Sequence, residues 1–153
     1  MAENNEQANV VHAGVDDVEV EEVWERLKQD PGSVLIDVRT QAEWTFVGVP
    51  DLSSLGKQLL LMEWQSFPGG QVSPAFTSQL EAELAQIGAG KDTELFFICR
   101  SGHRSLHSGE AMAAVGYRAC HNVAGGFEGP KDNDTHRGLV AGWKAAGLPW
   151  VQQ

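Results

Sequence analysis

Apolar positions along the chain switch between two periods. Short runs of three or four β-branched, leucine or aromatic residues occur at Val34–Ile36, inside Lys57–Met62 and at Leu95–Ile98, and Ala119–Val123 reads as a further short strand holding Cys120. Runs of that length and content predict buried strands. A looser alternation over Val10–Val20, with Val18 and Val20 flanking Glu19, predicts a short edge strand. Between these runs the spacing becomes helical. Val23, Trp24 and Leu27 give an apolar face to Glu21–Gln29, which Asp30-Pro31-Gly32 ends. Phe76, Leu80, Leu84 and Ile87 do the same for Phe76–Ile87, closed by Gly88 and Gly90. Leu106, Gly109/Glu110 and Ala113 predict a helix from about Ser105, with Gly116 as its stop, and a last helix is predicted over Gly138–Ala146. Residues 1–9 are polar and aperiodic and read as a disordered tail. Strands alternating with helices predict one α/β domain over residues 10–153. Its central sheet is mostly parallel and five-stranded, with helices on both faces. Ligands of such sheets bind at the carboxyl ends of the strands.

Charge and composition narrow the function classes. The chain has 153 residues, 42% of them hydrophobic, and a formal net charge of −10. An acidic chain argues against nucleic acid as a partner, since phosphate backbones are met by basic faces. No apolar run is long enough for a membrane span, and the polar N-terminus lacks the pattern of a secretory signal. Two cysteines cannot build a disulfide scaffold, so a reducing, cytoplasmic location is the expectation. Eight of the 21 acidic residues lie in the first 25 positions, whereas Arg100–Arg104 holds none. A cationic hole in an acidic protein suits a small anion.

That hole follows the strand Leu95–Ile98. Cys99 sits where the strand ends, Arg100, Ser101, Gly102, His103 and Arg104 form a tight basic turn, and a helix follows. The order places a thiol over a helix N-terminus, where N–H groups and the helix dipole favour negative charge. The thiolate is the nucleophilic form of cysteine. Cysteine-dependent phosphatases place five residues between cysteine and arginine. Here four separate Cys99 from Arg104, and Ser105 stands where the phosphatase arginine would be.

The run CRSGHRS resembles the active-site loop of the rhodanese family, in which a cysteine carries a persulfide sulfur. Two further stretches carry the same resemblance in the right order: LIDVRTQAEW, with Asp37, Arg39, Glu43 and Trp44, and NVAGGFEG, with Gly125-Gly126 before Phe127. One stretch departs from it. The Gly-His-Ile turn of many rhodaneses is replaced by Gly48-Val49-Pro50-Asp51, without the histidine. The resemblance implies a single-domain rhodanese-like fold and a sulfurtransferase. Cys99 would take sulfane sulfur from thiosulfate or a similar anionic donor. It would pass the sulfur to cyanide or to a thiol acceptor, small or on a protein, with no dissociable cofactor. Residues 100–104 would hold the persulfide, with Arg100 and His103 drawing in the donor. Arg104 either faces the anion or turns back onto an acid such as Glu43, and the sequence leaves both open. Asp37, Arg39 and Glu43 read as a structural ion-pair set, because buried charge requires a partner.

Three other readings stand beside this one: a small phosphatase or arsenate reductase, a non-catalytic binding module, and a sulfur relay serving a protein partner. Cys120, mid-strand and without a basic loop, reads as structural. His103 and His107 have the spacing of a metal pair, but no third ligand is evident, so no metal is expected. The Gly- and Pro-rich loop Glu63–Pro74 offers Trp64 and Phe67 either as a wall of the site or as cover for the core.

Overall fold

A computed structural model describes residues 11–66 and 69–152. In chain order the elements are β1 (Val11–His12), β2 (Val15–Glu19), α1 (Val20–Gln29), β3 (Val34–Asp37), α2 (Gln41–Phe46), β4 (Val49–Pro50), a 3-10 turn (Ser53–Leu55) and β5 (Leu60–Leu61). They continue with α3 (Phe76–Gln86), β6 (Leu95–Ile98), α4 (His103–Ala114), β7 (Cys120–Ala124) and β8 (Trp150–Val151). The main sheet runs β1-β2-β7-β6-β3-β5. Its last five strands are mutually parallel and β1 is antiparallel to β2. This is the α/β class expected, with the five-stranded parallel sheet. The tail assigned to residues 1–9 lies outside the described residues.

The central strands are buried along their whole length, which is why VLI and LFFI read as unbroken apolar runs. Alternate residues feed two cores. Val34, Ile36, Leu95 and Phe97 pack with Phe76, Leu80 and Leu84 of α3 and Met112 of α4. Leu35, Phe96, Ile98 and Val123 pack with Val23 and Leu27 of α1 and with Trp143. Helices therefore cover both faces. In α1, Glu21 and Glu22 occupy the first turn and Arg26 and Lys28 the last, matching the helix dipole. Among the described residues no helix is long and apolar enough to cross a membrane.

Three expected elements differ. The stretch Val10–Val20, read as one edge strand, holds two: β1 is the edge, and β2 lies inside it between β1 and β7. The strand expected over Lys57–Met62 shrinks to Leu60–Leu61, because Lys57 turns its ammonium onto the carbonyls of Asp30, Pro31 and Ser33 at 2.7–3.0 Å. The helix expected over Gly138–Ala146 is absent, replaced by bends and turns. Gly142, at φ +100, is left-handed in its middle. The Trp143 N–H then bonds Gly126 O at 2.8 Å instead of closing a helical turn. The segment spends its backbone bonds on the Gly125-Gly126 turn, and Trp143 is fully buried there.

That turn seats the loop after β6. N–H groups of Phe127, Glu128 and Gly129 bond the carbonyls of Cys99 and Arg100 at 2.8–3.0 Å. Gly126 has φ +64, and a Cβ there would lie 2.6 Å from both carbonyl oxygens. Gly88 is also left-handed, at φ +80, but a Cβ there would meet nothing within 4 Å. Gly88→Ala should therefore cost about 1 kcal/mol of backbone strain. Gly126→Ala adds overlap with rigid backbone and should cost about 3 kcal/mol or more. Urea unfolding of the two variants checks this, and equal losses would mean the turn does not press on the loop.

Candidate active site

Cys99 closes β6 with its side chain 1% exposed. Gly102, in the left-handed region, turns the chain into α4 as its N-cap. Two backbone N–H groups of this turn point at the sulfur, Gly102 at 3.2 Å and Ser105 at 3.3 Å. The Ser105 hydroxyl lies 3.1 Å from the same atom. The thiol thus sits in a shallow nest of donors at a helix start, an arrangement suited to negative charge on sulfur.

The other expected residues surround it. Arg100 and Ser101 are exposed, and so is His103, which meets His107 edge to face at 4.9 Å. Arg104 makes the choice that the sequence leaves open. Its guanidinium takes both oxygens of Glu43, at 2.6 and 2.9 Å. Glu43 is held from the other side by Thr40: the two form a reciprocal cap at the start of α2. Burial pushes the Glu43 carboxyl up, but the bonds from Arg104 and Thr40 outweigh it and hold the group at about 2. The Arg104 guanidinium is raised in turn, first by its bond to Glu43 and in smaller measure by Cys99 and Asp37.

Asp37 and Arg39 pair with each other, fully buried, at 2.7 Å. The three residues read as one ion-pair set are therefore two sets: Asp37–Arg39 within the sheet end, and Glu43–Arg104 joining α2 to the cysteine loop. Helix α2 itself was not foreseen, although Thr40 followed three residues later by Glu43 is a capping-box signature.

Arg100, Arg104 and Arg137 line a cavity of about 550 Å³ beside the loop, with Glu43, Glu128 and the exposed Phe46. Gln65, Ser66 and Gly70 of the Glu63–Pro74 loop form part of its wall. Trp64 serves both expected roles: it packs edge-on against Phe76 at 5.0 Å, and it lines a second cavity of about 540 Å³ together with His103, Arg104 and His107. Phe67 lies outside the described residues.

Sequence reasoning missed Asn122 and Asp17. Ser105 bonds Asn122 Oδ1 at 2.6 Å, and Asn122 Nδ2 bonds Asp17 Oδ1 at 3.0 Å and Gly102 O at 3.1 Å. The available signal was an asparagine in the middle of an otherwise buried strand. Cys120 is separate from all this. It pairs in register with Leu95, and Cys99 lies four residues further along β6, roughly 13 Å away at strand rise. That exceeds disulfide reach. Burial pushes its thiol up to about 12. Among the described residues no group of three His, Cys, Asp or Glu side chains is arranged to hold a metal.

The family model described as the STR4 middle domain matches residues 15–153. The crystal structure of Rv0390 from M. tuberculosis is 41% identical, with a TM-score of 0.80, over 90% of this chain and 97% of that one. The polysulfide-sulfur transferase homodimer of Wolinella succinogenes is 21% identical, with a TM-score of 0.57, over 92% of this chain and 80% of that one. A rhodanese-like domain from Anabaena sp. is 15% identical, with a TM-score of 0.59, over 90% and 79%. At those lower identities the likeness is one of fold. The chain has the rhodanese-like fold, and it shares that fold with a sulfur transferase.

The Glu43–Arg104 pair yields a pH test. The folded carboxyl lies at about 2, below the 4.5 of a free glutamate side chain. Its contribution to stability is complete above the unfolded value and is lost as pH falls toward the folded one. Wild type should exceed Glu43→Gln in unfolding free energy at neutral pH, and the gap should close between about pH 4.5 and 2. Chemical denaturation across that range checks it. A gap that does not change with pH would mean the pair contributes packing alone.

Proposed function

The chain belongs to the STR4 middle-domain family, and from that premise together with the nest around Cys99 we propose that it is a sulfurtransferase working through a persulfide on Cys99. The observation that carries this reading is the sulfur at the end of β6, met by the N–H groups of Gly102 and Ser105 at the start of α4.

In the first half-reaction the Cys99 sulfur attacks the outer sulfur of thiosulfate or a similar donor. A new S–S bond forms, the donor S–S bond breaks, and sulfite leaves with the bonding pair. The persulfide left behind is anionic, and the helix N-terminus and the turn N–H groups stabilise that charge. In the second half-reaction cyanide or a thiol, small or on a protein, attacks the terminal sulfur and the cysteine is restored. This is a ping-pong scheme with a covalent intermediate. It needs no dissociable cofactor. Arg100 and His103, exposed at the loop, draw in the anionic donor. Arg104 holds the loop through Glu43 and contributes positive charge at longer range. A reducing compartment such as the cytoplasm keeps the thiol free between turnovers.

The phosphatase and arsenate-reductase reading is weaker. A phosphate cradle needs its arginine in the cup, and Arg104 is committed to Glu43 at 2.6 Å. The non-catalytic and relay readings share this fold, and they separate from the proposal by turnover rather than by geometry.

Intact mass spectrometry of the reduced protein after mixing with thiosulfate should show a gain of one sulfur atom. Cyanide should remove it. Cys99→Ala should abolish it, whereas Cys120→Ser should retain it, since the Cys120 thiol is buried and pushed up to about 12. No added sulfur with thiosulfate or polysulfide would reject the sulfur-transfer reading, and equal loss in both variants would give Cys120 a part in the reaction.

A further inference from the structure

The cavity beside the cysteine loop is larger than the loop chemistry needs. Arg100 and Arg104, at the two ends of the loop, both line it, so it flanks the turn that carries Cys99. At about 550 Å³ it lies in the range that small organic ligands occupy, well beyond what an inorganic anion such as thiosulfate fills. Ala42, Phe46 and Val47 give it an apolar wall, and Phe46 stands 75% exposed. Its charges do not cancel. Arg104 and Glu43 neutralise each other. Among the described residues neither Arg100 nor Arg137 is paired with a carboxylate, and Glu128 is the one other acid of the lining. Two guanidiniums against one carboxylate leave a single positive charge. Arg137 is half-buried and anchored by one bond, from Nη1 to Gly129 O at 2.8 Å. Its position is fixed while its other N–H groups remain for a ligand.

We propose that this cavity is an acceptor site that takes a small organic thiol carrying one carboxylate, with Arg137 and Arg100 on the carboxylate and Phe46 against the carbon skeleton. The role as acceptor site rests on the sulfur-transfer reading, whereas the class of ligand rests on the cavity alone. A guanidinium matches a carboxylate in shape as well as charge and can bind both its oxygens at once. An apolar wall beside a few placed polar groups is how small-molecule sites fix orientation. The chain as a whole carries −10, so an anion settles only where a cleft concentrates positive charge. Glu128 in the same lining works against a second negative charge, which sets the class at a monoanion. Phe46 and Arg137 lie outside the three stretches that resemble the rhodanese family. The preference is therefore set by residues particular to this chain and not by the cysteine loop.

Transfer to such an acceptor needs no added oxidant or reductant. The acceptor sulfur bonds the outer sulfur of the Cys99 persulfide, the Cys99 S–S bond breaks, and its electron pair stays on Cys99. Cys99–S–S(−) and R–SH give Cys99–S(−) and R–S–SH, so the thiol proton ends on the new persulfide. The carboxylate takes no part in the exchange. It holds the skeleton so that the thiol meets the loop in a fixed orientation.

The test has a binding arm and a transfer arm. Calorimetric titration of the full, unloaded chain with 4-methylbenzoate should show saturable binding roughly tenfold tighter than with 4-methylbenzamide, its neutral analogue, the effect of one hydrogen bond between charged groups. Arg137→Gln should remove that preference, and Phe46→Ala should weaken both ligands. Absence of binding, equal affinities in wild type, a preference that survives Arg137→Gln, or unchanged affinities in Phe46→Ala each overturn the proposal. If Arg137→Gln does not fold, Arg100→Gln takes its place: a reduced preference supports the proposal, and the wild-type preference overturns it. In the transfer arm, protein loaded with sulfur is mixed with 4-(mercaptomethyl)benzoate or 4-(mercaptomethyl)benzamide, and discharge is followed by intact mass. The acid should discharge wild type roughly tenfold faster than the amide, and the ratio should fall to about one in Arg137→Gln. Equal rates in wild type overturn the acceptor role. Sulfur that loads and transfers without preference removes the cavity assignment and leaves the sulfur-transfer reading standing. No loading from thiosulfate or polysulfide, with the binding arm as described, removes the sulfur-transfer reading and leaves the anion site standing.

Discussion

The buried pair of Asp37 and Arg39 is the interaction on which the active end of the sheet depends. Both side chains are shut off from water. Arg39 bonds both oxygens of Asp37, takes Gly48 O at 2.7 Å, and lies 4.4 Å over the ring of Phe127. Phe127 in turn gives its N–H to Cys99 O. One guanidinium therefore joins the end of β3, the entry to β4 and the turn that seats the cysteine. Loss of either partner would leave the other charge buried and unpaired, at about 3–5 kcal/mol. That is a large share of the roughly 5–15 kcal/mol that holds a domain of this kind together.

Around the thiol the same economy of partners recurs. Glu43 closes the N-terminus of α2 and also fixes Arg104, so one carboxylate sets both the helix and the loop. Gly102 caps α4, points its N–H at the sulfur and receives Asn122 on its carbonyl. Few groups here serve a single purpose. The loop is consequently fixed in shape before any anion arrives, and donors already in place need no reorganisation when charge develops.

The α/β class, the order of strands and helices around Cys99 and the Gly125-Gly126 signature before Phe127 were legible in the sequence. Each rests on local pattern: an unbroken apolar run, a period of about four, a glycine pair before an aromatic. What was hidden depended on partners distant in the chain. Arg104 could face the anion or an acid such as Glu43, and only the fold brings Glu43 to it across 61 positions. Asn122 looked like one polar residue in a strand, because its meaning comes from Asp17, 105 positions away. The segment 138–146 has helical composition, yet its backbone bonds go to a turn near residue 126, and no local rule reveals that competition.

Strand β7 is made late and sits in the middle, between β2 and β6. A chain synthesised from its N-terminus holds β2, β3 and β6 well before β7 exists. Strand pairing across such separations is slow, because the loop-closure entropy must be met before the contacts reward it. During that interval Cys99 has already been made, but Asn122 and the Gly125-Gly126 seat have not joined it. Until β7 pairs, the cysteine loop lacks both the Asn122 bond to Gly102 O and the seat that the Gly125-Gly126 turn gives it.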